Sequence, residues 1–253
     1  MNTLIFIFIT LLSLFLASFL NVVAIRIPKG ESIVFPASHC VHCEHRLGPL
    51  DLIPVISFFL LKGRCRYCQA KVSYIYPVGE MFTASVLVYT SYKVGWGLEL
   101  LIALPLMAFL ASITISDLLY KIIPNKVNLF FFIYFMMVRL FYYPQPPLTY
   151  LIGMLVGGGL LLLIAIVSRG GMGGGDIKLM AVVGMALGWQ PVIVSFLLAS
   201  LFGGLIGVIL LLAKVVKRKQ AIPFGPFLAA GIFVTYFWGN EIILAYLNWI
   251  LRS

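Results

Sequence analysis

Eight apolar runs, most of them near the length of a helix that crosses a lipid bilayer, constrain this chain more than any other feature. They fall at about 4–25, 76–93, 98–118, 127–143, 148–167, 177–189, 191–213 and 222–250. A spanning helix needs ~17–25 apolar residues, and backbone in hydrocarbon must satisfy its own hydrogen bonds. The fold class read from this pattern is all-α, a polytopic membrane bundle of about eight transmembrane helices. The sixth run is short, and the last is expected to break near Gly239-Asn240. With 62% hydrophobic and 10% charged residues, the chain lacks the polar surface of a water-soluble globule. The first run has no Lys or Arg ahead of it and no clear small-residue cleavage site, so it is read as a span rather than a secretory signal.

Orientation follows from the basic residues, because cytoplasmic loops carry their excess. Alternate loops hold nearly all of them: Arg26, Lys29, Arg46, Lys62, Arg64, Arg66 and Lys71 in 26–75, Lys121 and Lys126 in 119–126, Arg169 and Lys178 in 168–178, and Lys214, Lys217, Arg218 and Lys219 in 214–221. Of the 18 Lys and Arg, only Lys93, Arg139 and Arg252 remain for the spans or the other side. Both termini are therefore expected outside. The net charge of +10 reads as a topology and lipid-headgroup signal, and no nucleic-acid partner is needed to explain it.

The one sizeable polar segment, 26–75, contains all four cysteines, as Cys40-Val41-His42-Cys43 and Cys65-Arg66-Tyr67-Cys68. Two C-x-x-C hooks at this separation let four thiolates converge on one soft cation, with zinc the default, and such a site replaces a missing core in a small loop. Disulfides are the competing reading, but a cytoplasmic loop sits in a reducing compartment. His39, His42 and His45 flank the first hook as alternative ligands. No His-His-carboxylate set suited to activating water is present, so the metal is read as structural. The domain division that results is a first helix over 1–25, a cytoplasmic zinc loop over 26–75 and a membrane-embedded helical core over 76–253.

Two carboxylates carry the chemistry. Asp117 stands at the end of the third run and opens Asp117-Leu118-Leu119-Tyr120-Lys121-Ile122-Ile123-Pro124-Asn125, while Asp176 ends Gly173-Gly174-Gly175-Asp176 before the sixth run. Ionisable groups against the bilayer are costly and point to function. Two aspartates within reach of each other share one proton, so the anion can activate water while the acid protonates a peptide carbonyl and the leaving amine. The glycines before Asp176 are no dinucleotide fingerprint, which needs a preceding strand, and are read as clearing the approach to the carboxylate. Gly153, Gly157 and Gly158, with Gly203, Gly204 and Gly207, read as helix-packing faces.

Several ordered motifs together resemble the type IV prepilin peptidases: Ser18-Phe19-Leu20-Asn21-Val22-Val23 with Arg26-Ile27-Pro28, the paired cysteine hooks, Asp51-Leu52-Ile53-Pro54-Val55, Tyr76-Pro77-Val78-Gly79-Glu80, both aspartate motifs, and Ile222-Pro223-Phe224-Gly225-Pro226-Phe227. The resemblance implies a membrane aspartyl endopeptidase of the bacterial cytoplasmic membrane that trims prepilins and pseudopilins, with Asp117 and Asp176 as the catalytic dyad and Cys40, Cys43, Cys65 and Cys68 as zinc ligands. It also implies N-methylation of the new N-terminus from S-adenosylmethionine. No methyl-donor pocket is visible in the sequence; Glu80 and Lys178 are the candidates for cofactor binding. A basic leader is expected to meet the polar loop through Glu31, Glu44, Asp51 or polar groups. Two other readings compete: a general G-x-G-D intramembrane protease, and an ion- or proton-coupled transporter, whose acids are expected near the bilayer midplane rather than at the ends of runs.

Overall fold

The computed structural model describes residues 3–217 and 222–252; Arg218 and Lys219 of the last basic loop lie outside them. The elements in order are α1 (Thr3–Arg26), a short α2 (Ile56–Leu60), α3 (Ile75–Val94), α4 (Leu100–Tyr120), α5 (Asn125–Phe141), α6 (Pro147–Val167), α7 (Gly174–Leu187), α8 (Trp189–Leu212) and α9 (Gly225–Arg252). A long helix therefore occupies each apolar run. No strand occurs among the described residues, only isolated bridges in the polar loop. Five helical stretches, Leu4–Lys29, Leu100–Tyr120, Pro147–Val167, Trp189–Leu212 and Gly225–Ile250, are long and apolar enough to cross a membrane. The chain is a multi-pass membrane protein. Its outward faces support this: Phe8, Phe15, Leu155, Leu163, Leu197 and Ile209 are exposed large apolar side chains that water would penalise and lipid would not.

The expected break at Gly239-Asn240 is not found. α9 runs unbroken through both residues. A helical glycine costs only about 1 kcal/mol relative to alanine, and the neighbouring turn is reinforced by the i,i+4 pair Phe233–Phe237, whose rings lie 5.0 Å apart.

The chain divides into two compact units, Met1–Leu119 and Tyr120–Ser253. In the first, α1 packs on α3. Asn21 interlocks them: its Nδ2 donates to the Tyr76 carbonyl at 2.8 Å, and the side chain fills the place a Cβ on Gly79 would take. Two motifs more than fifty positions apart in the chain thus fit as one joint. α4 is buried on all sides from Ile102 to Asp117 except at Pro105, Leu104 and Thr114.

In the second unit, α6 packs on α7, α8 on α9, and α5 on α7. The α6–α7 crossing brings backbone against backbone: a Cβ on Gly184 would run into the Gly153 carbonyl, and one on Gly157 into the Met180 carbonyl. A Cβ on Gly158 would lie 3.2 Å from the Ala181 Cβ of α7, and one on Gly203 3.3 Å from the Phe224 ring. Gly204 differs from its expected packing role, since a Cβ there meets nothing within 4 Å. Gly184→Ala should therefore force α6 and α7 apart and cost about 1–3 kcal/mol, the range for overpacking. Gly204→Ala should be neutral or slightly stabilising. Thermal unfolding of the two variants in detergent checks the contrast; equal midpoints would refute the close crossing.

Candidate functional site

The cysteine hooks fold as two copies of one turn. In the first, Cys40 N–H donates to the His45 carbonyl at 3.0 Å and Glu44 N–H to the Cys40 carbonyl at 2.9 Å; in the second, Cys65 pairs with Ala70 at 2.8 Å and Gln69 with Cys65 at 3.0 Å. Each hook is closed by one bridge, His39 with Arg46 and Arg64 with Lys71. The residue after each second cysteine is left-handed, Glu44 at φ 56° and Gln69 at φ 59°. The turn reverses the chain so that both thiols of a hook point the same way.

The four sulfurs lie within 4.8 Å of one another. All four cysteines are free, Cys40 and Cys65 buried and Cys43 and Cys68 exposed. The Cys40 and Cys68 sulfurs are 3.8 Å apart. A tetrahedron with metal–sulfur bonds of about 2.3 Å has an edge of roughly 3.8 Å, whereas a disulfide requires about 2.05 Å. The donor set fits a metal ion. The backbone N–H groups of Cys43 and His42 hold the Cys40 thiol down to about 6, which favours the thiolate a metal needs. At Cys68 the Ala70 N–H acts in the same sense, but burial and the three other sulfurs outweigh it and push the thiol up to about 12. Two of the three histidines are engaged elsewhere: His39 Nδ1 lies 2.9 Å from the Ala37 carbonyl, and the His45 ring packs 3.7 Å from that of Tyr67, while His42 is exposed.

Asp51 ties the rest of the loop to the second hook. Arg66 Nε donates to Asp51 Oδ1 at 2.6 Å, the Tyr67 hydroxyl to Oδ2 at 3.3 Å, and Gly48 N–H to Oδ2 at 3.1 Å. The Arg66 guanidinium, helped by the Gly48 N–H, holds the carboxyl below its ordinary range. Asp51 is therefore held by its own loop. Glu31 and Glu44 are exposed.

Glu80 sits where helix and loop meet. It is 9% exposed. Ser18 Oγ donates to its Oε1 at 2.6 Å and Val55 N–H to its Oε2 at 2.8 Å. Val55 is strained, at φ 63° and ψ −51°, with Ile56 N–H donating back to the Pro54 carbonyl at 2.6 Å. A β-branched residue adopts this tight γ-turn only where its surroundings enforce it. Glu80 does so, fixing the loop to α1 and α3.

The two aspartates belong to different units. Asp117 is buried in the last turn of α4, and Asp176 is buried in the first turn of α7. The three glycines before Asp176 are not equivalent. A Cβ on Gly173 would lie 2.9 Å from Asp176 Oδ2, one on Gly174 would meet nothing within 4 Å, and one on Gly175 would lie 2.7 Å from the Ile123 Cβ. Gly173 thus keeps the flank of the carboxylate clear, and Gly175 seats α7 on the segment before α5. Lys178, exposed, donates to Asn125 Oδ1 at 2.8 Å across the same junction. At the far end of α7, the buried Arg139 of α5 donates through Nε and Nη2 to the Ala186 carbonyl and lies 4.3 Å over the Tyr150 ring. Sequence reading left Arg139 without a role, although an arginine inside an apolar run is itself a signal of a buried partner.

Comparison with known proteins finds relatives over nearly the whole chain. Residues 11–94 match the profile described as the bacterial peptidase A24 N-terminal domain, and residues 104–208 that of the type IV leader peptidase family. The chain is 35% identical over 238 residues to the prepilin leader peptidase/N-methyltransferase of Bacillus subtilis, covering 94% of this chain and 96% of the relative. It is 34% identical over 273 residues to that of Aeromonas salmonicida, with 95% and 93% covered, and 30% identical over 275 residues to that of Pseudomonas aeruginosa, with 94% and 92% covered. No solved structure matches.

Proposed function

This chain belongs to the type IV leader peptidase family, and on that premise we propose that it cuts the leader from prepilins and pseudopilins with Asp117 and Asp176 and methylates the N-terminus so exposed. The observation that carries the reading is a pair of aspartates, both less than a tenth exposed, at opposite helix ends within the matched region. Buried carboxylates at helix ends are held in place for chemistry more readily than solvated ones. One carboxylate, unprotonated, removes a proton from the attacking water. Its protonated partner donates to the carbonyl oxygen of the scissile bond and then to the departing amine, so that hydrolysis proceeds without a covalent intermediate. Gly173 leaves room for the peptide beside Asp176. Lys178 and Asn125 act as positioning residues that fix the start of α7.

The metal held by Cys40, Cys43, Cys65 and Cys68 is zinc. Four thiolates would fill the four positions zinc takes in structural sites and leave none for substrate, so a bound ion would supply rigidity to the loop. S-Adenosylmethionine supplies the activated methyl group. The protein lies in the bacterial inner membrane as a bundle of about eight transmembrane helices, with the basic loops and the metal loop cytoplasmic and lipid around the exposed apolar faces. Functionally, 1–25 anchors, 26–75 is the metal loop and 76–253 is the catalytic bundle.

Incubation of the purified protein with a prepilin, with and without S-adenosylmethionine, tests both activities. The mass of the product should show leader removal in both cases and one added methyl group only with the donor. Recovery of intact prepilin would overturn the proposal.

A further inference from the structure

A cavity of about 420 Å³ lies wholly within the first unit, between α1, the start of α3, α2 and the two cysteine hooks. That volume is in the range of about 300–1,000 Å³ typical of small-molecule sites. Its walls combine apolar side chains such as Val22, Phe58 and Leu61 with charges of both signs. Two of its cations are already occupied: Arg26 donates to the Ser32 and Pro36 carbonyls at 3.1 and 2.8 Å, and Arg66 is held by Asp51. Arg64 and Lys71, contributed by the second hook, are exposed, and no side-chain partner of either occurs among the described residues.

Glu80 is the anomaly in this cavity. It lines it from α3, buried, and both oxygens accept hydrogen bonds from neutral donors, yet no cation of the described residues pairs with it. A buried carboxylate without a counter-charge is costly, and a cationic ligand relieves the cost. The ligand that suits the whole cavity is small, has a flat apolar part, carries a cation for Glu80 and ends in an anion for Arg64 or Lys71. An adenosyl sulfonium amino acid has all four properties.

We propose that this cavity is the methyl-donor site, holding S-adenosylmethionine with its sulfonium toward Glu80 and its carboxylate toward Arg64 and Lys71. The assignment rests on the methyl-transfer reading above and gives it a location. In the transfer, the lone pair of the neutral pilin amine forms the N–C bond as the C–S bond breaks toward sulfur. The products are a neutral thioether and a methylated ammonium, which gives its proton to water. A site that recognises the positive sulfur consequently holds the donor more tightly than the spent S-adenosylhomocysteine.

Equilibrium binding of both compounds to the full-length protein in detergent, without prepilin, tests the site. The native protein should bind S-adenosylmethionine in preference to S-adenosylhomocysteine. Glu80→Gln should weaken S-adenosylmethionine by on the order of ten-fold or more and abolish the preference, because one charge-assisted contact is lost while shape is kept. Ser57→Phe, which adds bulk to the cavity wall and removes no charge, should weaken both compounds alike. Metal content near the native value shows that each variant has folded. If the native protein neither binds the donor nor methylates, the methyl-transfer reading itself fails. If it does both and the two folded variants bind as the native protein does, the donor lies elsewhere and this assignment is overturned. It is equally overturned if Glu80→Gln spares the donor and weakens a synthetic basic leader peptide instead.

Discussion

Asp117→Asn and Asp176→Asn should each lower prepilin cleavage by about 10²–10⁴-fold or more, the range associated with loss of a general acid or base. The amide keeps the size of the carboxyl and removes its titration, so the effect reports chemistry rather than packing. Because the two groups act as one unit, the double variant should be little worse than either single one. Both sites are buried, at 6% and 8% exposure, and neither replacement leaves a void. Unaltered metal content and membrane insertion should accompany the loss. Initial cleavage rates against a purified prepilin decide the matter, and a variant working near the native rate would remove that aspartate from the mechanism.

The second large effect concerns the loop. The purified protein should carry about one zinc per chain, the stoichiometry of a four-thiolate site. Replacement of both cysteines of either hook by serine should release it. The stakes are high for a segment with so little core, since structural zinc contributes about 10–16 kcal/mol in small metal-binding peptides. Among the described residues of the loop, only Cys40, Pro54 and Cys65 are buried. Without the ion, segment 26–75 should become sensitive to proteases. Cys40 and Cys65 also line the cavity beneath the hooks. Single Cys40→Ser and Cys65→Ser enzymes should therefore produce a lower ratio of methylated to unmethylated pilin at matched extents of cleavage. Metal analysis and limited proteolysis check the first claim and product mass the second. A metal-free native protein, or an unchanged ratio, would count against the corresponding assignment.

Much of this molecule was legible from local pattern. The long helices follow the apolar runs because a backbone in lipid has no alternative to bonding within its own segment. The cysteine cluster was legible because two C-x-x-C hooks converge with little help from their surroundings. The short sixth run became the 14-residue α7, with its aspartate in the first turn as the glycines before it indicated. Even the repeated turn of the two hooks leaves its trace in the spacing, though their different side chains conceal it. The expected break at Gly239 failed because local propensity is weak beside the aromatic contacts that hold α9 together.

What stayed hidden depended on partners distant in the chain. Glu80 could be read as an interfacial charge or a ligand until its contacts were seen, 62 positions away at Ser18 and 25 away at Val55. Asp51 was an available carboxylate in sequence and an occupied one in space, because Arg66 lies beside it. Gly184 and Gly204 sit in equally apolar helices. Only the first has another backbone where its Cβ would be. Hydropathy and spacing are properties of a segment and survive in one dimension. Burial of a charge, the partner that compensates it and the closeness of two backbones arise when segments meet, and one chain position carries no record of which others it will face.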